Sequence, residues 1–405
     1  MKGRNISREN FRVGLAAAVL CVGTCQSSTA VPAVQKELAL ANTGFAFNLL
    51  KQLNKEQPRA NIFISPYSAS TVLQMVGTGA AGTTLTEMEK ALGTSSLTEA
   101  AVEQGNEDIA AYINAKNTNF ILTTANSIWY LQGMPLVPAF IDNDEKYFGA
   151  TVKGLNFAAP STVALINNWA STETHGKITK IFSTIPSETR MILANAVYFL
   201  GSWQNPFDTN LTTSRSFYPD GGGQSTIPMM QQTRQFIYSE TSDYQAVELP
   251  YKGGDLAMYV FLPSPNSSLE QLLSAMNAQT WQETINNDFG IDEGTLTLPK
   301  FNLTYDTSLI PALQALGMRT AFTTEANFSK ISSERLYIGM VKQQAMVEVD
   351  ELGTEAAAVT TVGLLPTVVP YFPNPFQMVV NRPFLFFIED QQTATILFSG
   401  AIFNP

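Results

Sequence analysis

The sequence is poor in the residues that build metal sites and thiolate sites. Its 405 residues include only two cysteines, Cys21 and Cys25, and a single histidine, His175. One histidine excludes every site that needs several imidazole ligands. Charged residues make up only 14% of the chain, whereas hydrophobic residues make up 45%. A chain of this length and composition can bury a large core.

The first 30 residues have the pattern of a secretory signal peptide. Basic residues lead into the apolar run VGLAAAVLCVGTC, and Ser28 and Ala30 give the small-x-small pattern of a cleavage site. The apolar run is too short to span a membrane stably. We therefore expect a secreted, extracellular or periplasmic protein whose mature chain, residues 31–405, lacks cysteine. The alternative is a lipoprotein attached through Cys25, although Thr24 fits that pattern poorly.

Removing this leader makes the chain more acidic. It takes away Lys2, Arg4, Arg8 and Arg12 together with Glu9, so the formal net charge changes from −10 to −13. Nucleic acid and heparin-like polyanions are therefore not expected partners.

Catalytic motifs are missing from the sequence. No G-x-S-x-G elbow occurs, no serine stands three residues before a lysine, and the single Gly-Lys pair, Gly176-Lys177, lacks a phosphate loop around it. His175 lies beside Gly176 where a helix should end, which favours a solvated residue over a catalytic base. We expect neither an enzyme nor a cofactor or metal site.

The spacing of apolar residues predicts helices first and strands later. Helical spacing is clear from Glu37 onward, in SASTVLQMVGTGA and in LTEMEKALG, and further helices are predicted near 163–179 and 308–316. Strand-like runs include NFILTTANSIWYL, MILANAVYFLG, YQAVELPYKGGDLAMYVFLP, GTLTLPKFNLTY, FLFFIED and TATILFSGAIF. No linker or repeat divides residues 31–405, so we expect one α+β domain with mostly antiparallel sheets.

The segment that begins AMVEVDELGTEAAAVTT suggests a strand followed by an insertable loop. Ala345, Val347 and Val349 alternate with polar residues, which predicts a half-buried strand. Gly353 would then turn the chain at a positive φ. Beyond it, one of the two alternating faces carries only small side chains: Thr354, Ala356, Ala358 and Thr360. Such a face fits into a packed sheet interior, where a long side chain does not.

Composition alone also allows a short alanine-rich helix or a flexible linker for this segment. Prolines at positions 366, 370, 373 and 375 exclude a membrane helix and favour an extended, protease-accessible loop.

A set of motifs in the same order along the chain resembles the serpin family of serine protease inhibitors. The matching stretches are NIFISPYSAS, ANAVYFLGSWQNPF, VELPYKGGDLAMYVFLP, LPKFNLTY, LGMRTAF, VEVDELGTEAAA and NRPFLFFI. The resemblance implies a monomeric α+β serpin fold with three β-sheets, about nine helices and an exposed reactive-centre loop at about 351–377. The hinge of that loop would be Glu351, Gly353, Thr354, Glu355, Ala356, Ala357 and Ala358.

The resemblance also implies a function and a reactive bond. Inhibitory serpins are suicide substrates, in which the cut loop inserts into the main sheet and traps the acyl-enzyme of a target serine protease. The family spacing from Glu351 places the reactive bond at Thr367-Val368, with the register open between Leu365 and Phe372. Residues 356–381 contain no lysine or arginine, which favours an elastase-like or subtilisin-like target over a trypsin-like one.

Other family positions match a region where the main sheet opens. These are Ser65, Ser68, Asn195 and Trp203, together with Gln343, which stands where the family usually has histidine. An amide can replace the hydrogen bonds of that histidine, but its pH dependence should be lost.

The alternative function is that of a non-inhibitory serpin, acting as a binding, storage or chaperone protein. Such members usually carry a charged, bulky or proline residue in the hinge, and this chain has none from Ala356 to Val362. Leu352 stands where serpins commonly have an acidic or basic residue. This difference affects the rate of loop insertion that the resemblance implies.

Overall fold

The computed structural model describes residues 33–115, 120–354 and 375–405. These residues form the α-helices α1 (Ala33–Glu56), α2 (Pro66–Thr78), α3 (Gly82–Leu92), α4 (Glu99–Ala115), α5 (Pro138–Phe148), α6 (Ser161–Glu173), α7 (Leu269–Ala275), α8 (Ala278–Glu283) and α9 (Ile310–Ala315). Their strands are β1 (Ile62–Ile64), β2 (Phe120–Leu131), β3 (Thr151–Leu155), β4 (Met191–Ser202), β5 (Thr213–Phe217), β6 (Ser225–Glu240), β7 (Tyr244–Pro250), β8 (Leu256–Pro263), β9 (Gly290–Pro299), β10 (Phe301–Ser308), β11 (Ile338–Val349), β12 (Gly353–Thr354), β13 (Phe376–Val379), β14 (Phe384–Asp390) and β15 (Thr395–Ile402).

One sheet has six strands in the order β10-β11-β12-β4-β2-β3. Its two central strands, β4 and β11, run parallel, whereas β2 pairs with β4 and β10 pairs with β11 in antiparallel fashion. Strand β11 alternates buried and half-buried side chains along its length, as the sequence predicts. Strand β4 is buried on both faces over most of its length, which is typical of a central strand covered on both sides.

The second hydrogen-bonded network has nine strands and two parts. One part runs in the order β1-β15-β14-β8-β7, and the other consists of β5, β6, β9 and β13. Among the described strands, the two parts pair with each other at the end of β6, where residues 237–240 pair with β7. With the six-stranded sheet, these two parts account for the three sheets that the sequence resemblance implies.

Helix α2 occupies the centre of the molecule. Every one of its residues is buried, from Pro66 to Thr78. The main hydrophobic core surrounds it and includes residues of α1, β14 and β15. A second, smaller core lies between α6 and the six-stranded sheet, where Ile166 and Ala170 belong to the same cluster as Ala194 and Ala196.

The predicted mixed α and β architecture is confirmed, with differences in the helices. Helix α6 ends at Glu173, because Thr174 caps it and His175 adopts a positive φ of 52°. Helices α4, α5, α7 and α8 are absent from the sequence prediction. The buried face of α4 includes Glu103 and Asn106, so its hydrophobic periodicity is weak and sequence pattern alone does not reveal it.

Two further classes of feature are absent from the described part of the chain. No helix there has the length and apolar character needed to cross a membrane. Within the same residues, histidine, cysteine, aspartate and glutamate nowhere gather in a group of three that could hold a metal ion.

Asp144 on α5 is an unusual buried acid. Its side chain is fully buried, and neither carboxylate oxygen has a hydrogen-bond partner among the described residues. Burial, aided by the negative charge of Glu103 on α4, raises the pKa of Asp144 to about 9. The folded protein therefore holds this carboxyl in its neutral form at neutral pH.

Asp144→Asn should remove a pH-dependent loss of stability. The folded state binds the Asp144 proton more tightly than the unfolded state, so the contribution of this group to the free energy of unfolding falls as pH rises from 3.8 to about 9. The amide cannot ionise, so the variant should gain melting temperature relative to wild type between about pH 5 and about pH 8. Thermal unfolding across this range measures the difference, and a constant difference contradicts the assignment.

Candidate functional site

Strand β12 separates the two central strands at one end of the six-stranded sheet. Its residues Gly353 and Thr354 pair with β4, and Thr354 also pairs with Val349 of β11. From Met346 back toward the start of β11, β11 and β4 pair directly. The central strands therefore pair along most of their length and are separated at their C-terminal ends, where β12 lies between them. We call this junction the split.

A tight turn joins β11 to β12. The Asp350 carboxylate accepts hydrogen bonds from the backbone N–H groups of Leu352 and Gly353, at 2.8 and 3.2 Å, and the Asp350 N–H donates to the Gly353 carbonyl at 2.9 Å. The predicted positive φ at Gly353 is wrong, because this residue lies in extended strand β12. Glycine is required there for space, since a Cβ atom would lie 2.1 Å from the Gly201 carbonyl oxygen.

Thr354 is already buried in the intact chain. Its side chain has no exposed surface, and its hydroxyl lies 2.6 Å from the hydroxyl of Tyr251. Burial raises the pKa of Tyr251 well above its usual value, so this phenol stays protonated. The Tyr251 ring stacks on Trp203 with ring centroids 4.6 Å apart. The Trp203 indole N–H donates to the Asp350 carbonyl at 2.9 Å, so both aromatic residues hold the turn and β12.

Glu351, the first predicted hinge residue, is anchored by a cation and a hydroxyl. Its carboxylate lies 2.6 Å from the Lys300 ammonium and accepts a 2.6 Å hydrogen bond from the Thr212 hydroxyl. Burial alone would raise the pKa of Glu351, but the hydrogen bonds from Lys300 and Thr212 outweigh it and hold the pKa below its usual value. The Glu351 carbonyl also accepts from the Phe207 N–H at 2.8 Å.

A buried group of hydroxyls and amides bridges β4 and β11 below the split. It consists of Ser65, Ser68, Asn126, Asn195 and Gln343, and we call it the amide latch. Gln343 donates to the Asn195 side chain at 2.7 Å and to the Ser65 carbonyl at 2.9 Å, and it accepts from the Ser65 N–H at 3.0 Å. Asn195 donates to Asn126 at 2.6 Å and also to Ser68. The latch thus links both central strands to β2 and to the start of α2.

The structure brings four of the residues predicted at the sheet opening together and adds others. Ser65, Ser68, Asn195 and Gln343 meet at the joined strands, and Trp203 lies at the split. Asn126, Tyr251, Thr212 and Lys300 were missed. Two of these four, Tyr251 and Lys300, lie inside the quoted motifs VELPYKGG and LPKFNLTY, but their contacts with residues 351–354 join distant parts of the sequence.

The remaining predicted site residues lie outside the described residues. These are Glu355, Ala356, Ala357, Ala358, Thr367 and Val368. After residue 374 the chain re-enters as β13, which pairs in parallel with β9 of the other network. Phe376 at its start stacks on Tyr238 with centroids 3.8 Å apart. The described chain therefore lies in the six-stranded sheet before residue 355 and in the nine-stranded network after residue 375.

Removing the Lys300 ammonium should weaken the anchor of the hinge. Lys300→Met leaves the buried Glu351 carboxylate one hydrogen bond short, which should lower the free energy of unfolding by about 1 to 3 kcal/mol. Solvent screens part of the effect, because the Lys300 side chain is 36% exposed. The matched control is Lys342→Met, which removes an ammonium 2.6 Å from the Asp306 carboxylate. The Asp306 side chain is 46% exposed, whereas that of Glu351 is 8% exposed. The control should cost less than about 1 kcal/mol. Equal losses in denaturant unfolding would contradict the anchoring role.

Comparison with known proteins gives one consistent result. The family model described as "Serpin (serine protease inhibitor)" matches residues 40–405. An uncharacterized serpin-like protein of Methanosarcina acetivorans is 35% identical over 91% of this chain and 88% of its own length. The leukocyte elastase inhibitor of Sus scrofa is 32% identical over 91% of this chain and 100% of its own length.

A solved structure agrees with these sequence matches. Human thyroxine-binding globulin, complexed with thyroxine, superimposes with a TM-score of 0.84 at 26% identity, over 92% of this chain and 100% of that one. The family model covers nearly all of the chain, and the helices and mixed β-sheets fit a serpin fold. The chain therefore belongs to the serpin family.

Proposed function

We propose that this protein inhibits a serine protease as a suicide substrate. The observation that supports this most strongly is the split, at which Gly353 and Thr354 already occupy strand positions between β4 and β11. The chain that follows continues the same alternation, with small residues at Ala356, Ala358 and Thr360. Extending β12 along the split would place these small side chains in the sheet interior, where larger ones could not be packed.

The energy for such an insertion would come from new strand pairing. The joined part of β11 and β4 spans residues 338–346 and 191–198, so an added strand would exchange one parallel ladder for two antiparallel ones. About a dozen inserted residues, at roughly 0.5 to 1.5 kcal/mol per net hydrogen bond, would contribute on the order of 10 kcal/mol. The intact chain would hold this free energy until a protease cuts the segment between β12 and β13.

Insertion would trap the protease because its catalytic geometry is precise. The protease serine forms an ester with the new carboxyl terminus of the cut loop, and that ester moves with the inserting strand. A displacement of the oxyanion hole or the triad by about an ångström can slow deacylation by a factor of about 100 or more. Water then fails to release the enzyme, and the covalent complex persists.

Thr367-Val368 is the proposed reactive bond, within a register that extends from Leu365 to Phe372. The absence of lysine and arginine from residues 356–381 supports an elastase-like or subtilisin-like target. The similarity to leukocyte elastase inhibitor is consistent with this choice. We further propose that residues 1–30 are a signal peptide for export and that the protein acts as a monomer without a heparin-type cofactor.

Family membership alone leaves a carrier role open, since thyroxine-binding globulin is a structural neighbour. The hinge favours inhibition. Thr354 is small and buried, and Asp350 pre-forms the turn that starts β12. In this proposal Glu351 and Trp203 hold the base of the hinge, and the amide latch resists separation of β4 and β11 until the loop is cut.

Thr354→Arg should convert the inhibitor into a substrate. Thr354 is already buried beside Tyr251 in the intact chain, so the arginine should expel residues 353–354 from between β4 and β11. Insertion must then bury that charge without a partner, which slows it, while the loop tip that the protease attacks is unchanged. The matched control is Glu355→Arg on the opposite face of the alternation. Each variant is mixed with elastase, and the covalent complex, the cleaved product and the recovered protease activity are measured.

We expect Thr354→Arg to lose the covalent band, to yield cleaved product and to release active elastase, whereas Glu355→Arg should retain most of the complex. Mass spectrometry of the product locates the reactive bond. If wild type forms no complex with elastase or with subtilisin, the proposed inhibition fails. If both variants form complex as wild type does, the alternating-face argument fails.

A further inference from the structure

A cleft of about 520 Å³ lies where helices α7 and α8 pack beside strands β7 and β8. Leu272 of α7 and Met276, which caps that helix, supply apolar surface to its lining. Tyr244 of β7 and Phe261 of β8 supply aromatic rings. A cleft of this size is in the range that holds a small organic ligand. We call it the α7–α8 cleft.

The cleft lies on the side of α8 that faces away from α1. Ala278 of α8 faces α1, since a Cβ atom on Gly44 would lie 3.9 Å from the Ala278 Cβ. Thr280 and Thr284, which line the cleft, lie on the opposite side of the helical segment. At Thr284 the chain changes from α8 to a single π-helical turn, Thr284–Asp288, and such turns are frequent at functional sites. The cleft is therefore separate from the packed contact between α1 and α8.

The charge around the cleft is negative. Among the described residues that line it, Asp243 at the exposed rim is the one acid, and none is a lysine, an arginine or a histidine. Burial raises the pKa of the Tyr244 phenol, and hydrogen bonds with Ser239 and Thr284 oppose this rise. The negative charges of Asp288 and Asp243 raise the same pKa further, so both carboxylates act on this side of the cleft. The cleft therefore favours a cation over an anion.

A hydroxyl without a partner belongs to the same lining. The Oγ atom of Ser264 is shielded from solvent and has no hydrogen-bond partner among the described residues. The Ser264 backbone N–H donates to the Asp243 carbonyl at 2.8 Å, which holds these two lining residues together. An ammonium group has three N–H donors and no acceptor. The lining therefore offers an ammonium group a carboxylate and a hydroxyl oxygen as acceptors.

We propose that the α7–α8 cleft binds a small amphipathic amine, whose ammonium group lies beside Asp243 and whose apolar body packs against Leu272 and Met276. The half-buried Tyr244 ring stands edge to face with Phe261, with centroids 5.3 Å apart, which fixes its orientation. An ammonium group over the Tyr244 ring gains a cation–π attraction in addition to the attraction of Asp243. A carboxylate on the same apolar body gains neither, because Asp243 repels it. The proposal does not depend on the proposed inhibition of a protease.

The experiment uses three probes that share a phenylbutyl body and differ in the group at its end: phenylbutylamine, phenylbutanol and phenylbutanoate. Binding of each probe to the intact protein is measured by ligand-observed NMR titration at low salt, where charges are least screened. Asp243→Asn removes the charge at the rim. Ala275→Trp places a bulky ring at an exposed position of α7 that lines the cleft, and its matched control is Ser274→Trp, at the exposed neighbour that does not line it.

We expect wild type to bind the amine about fivefold more tightly than the alcohol, and the alcohol about fivefold more tightly than the carboxylate. Asp243→Asn should weaken amine binding about fivefold and change alcohol binding by less than about twofold. Ala275→Trp should weaken both the amine and the alcohol by more than about fivefold, whereas Ser274→Trp should change them by less than about twofold.

Three results would each overturn the proposal. The first is that wild type shows no saturable binding of the amine. The second is that the amine binds no more tightly than the carboxylate, or that Asp243→Asn leaves amine binding unchanged. The third is that a folded Ala275→Trp variant binds the amine as wild type does, which would place the binding elsewhere. If Ala275→Trp does not fold, the comparison of the three probes on wild type and Asp243→Asn decides the outcome.

Discussion

The parallel pairing of β4 with β11 is the contact on which the proposed loop insertion depends. Below the split it is continuous, and the amide latch spans it from Ser65 to Gln343. Above the split, β12 replaces it, held by Tyr251 at Thr354 and by Lys300 at Glu351. In this sheet, buried polar contacts join β4 to β11 at one end, and β12 separates the same two strands at the other end.

Much of this arrangement follows from local sequence, and the part that does not is long-range. The alternation of Ala345, Val347 and Val349 predicted strand β11 correctly, because burial on one face imposes a period of two. Gly353 was recognised as a required glycine for the wrong reason, since the close approach of β4 depends on tertiary packing. The contact of Lys300 with Glu351 likewise brings together residues far apart in the chain, which no local pattern specifies.

Uncharged polar groups carry the buried network between the helices and the central strands. The latch consists of serine, asparagine and glutamine side chains, with Gln343 at the contact between the two strands. None of these groups changes charge at physiological pH, so the network keeps its hydrogen bonds where a histidine would titrate. The buried carboxyl of Asp144 on α5 lies apart from this network, near Glu103 of α4. Its raised pKa makes the free energy of unfolding depend on pH.

The central claim is that the six-stranded sheet lacks a strand which the segment between β12 and β13 can supply. The most direct measurement is thermal unfolding of the protein before and after a single cut within residues 355–374. Gaining on the order of 10 kcal/mol of strand pairing should raise the melting temperature by about 10 °C or more. Nicking an ordinary loop leaves the melting temperature unchanged or lowers it, and either result here would contradict the account.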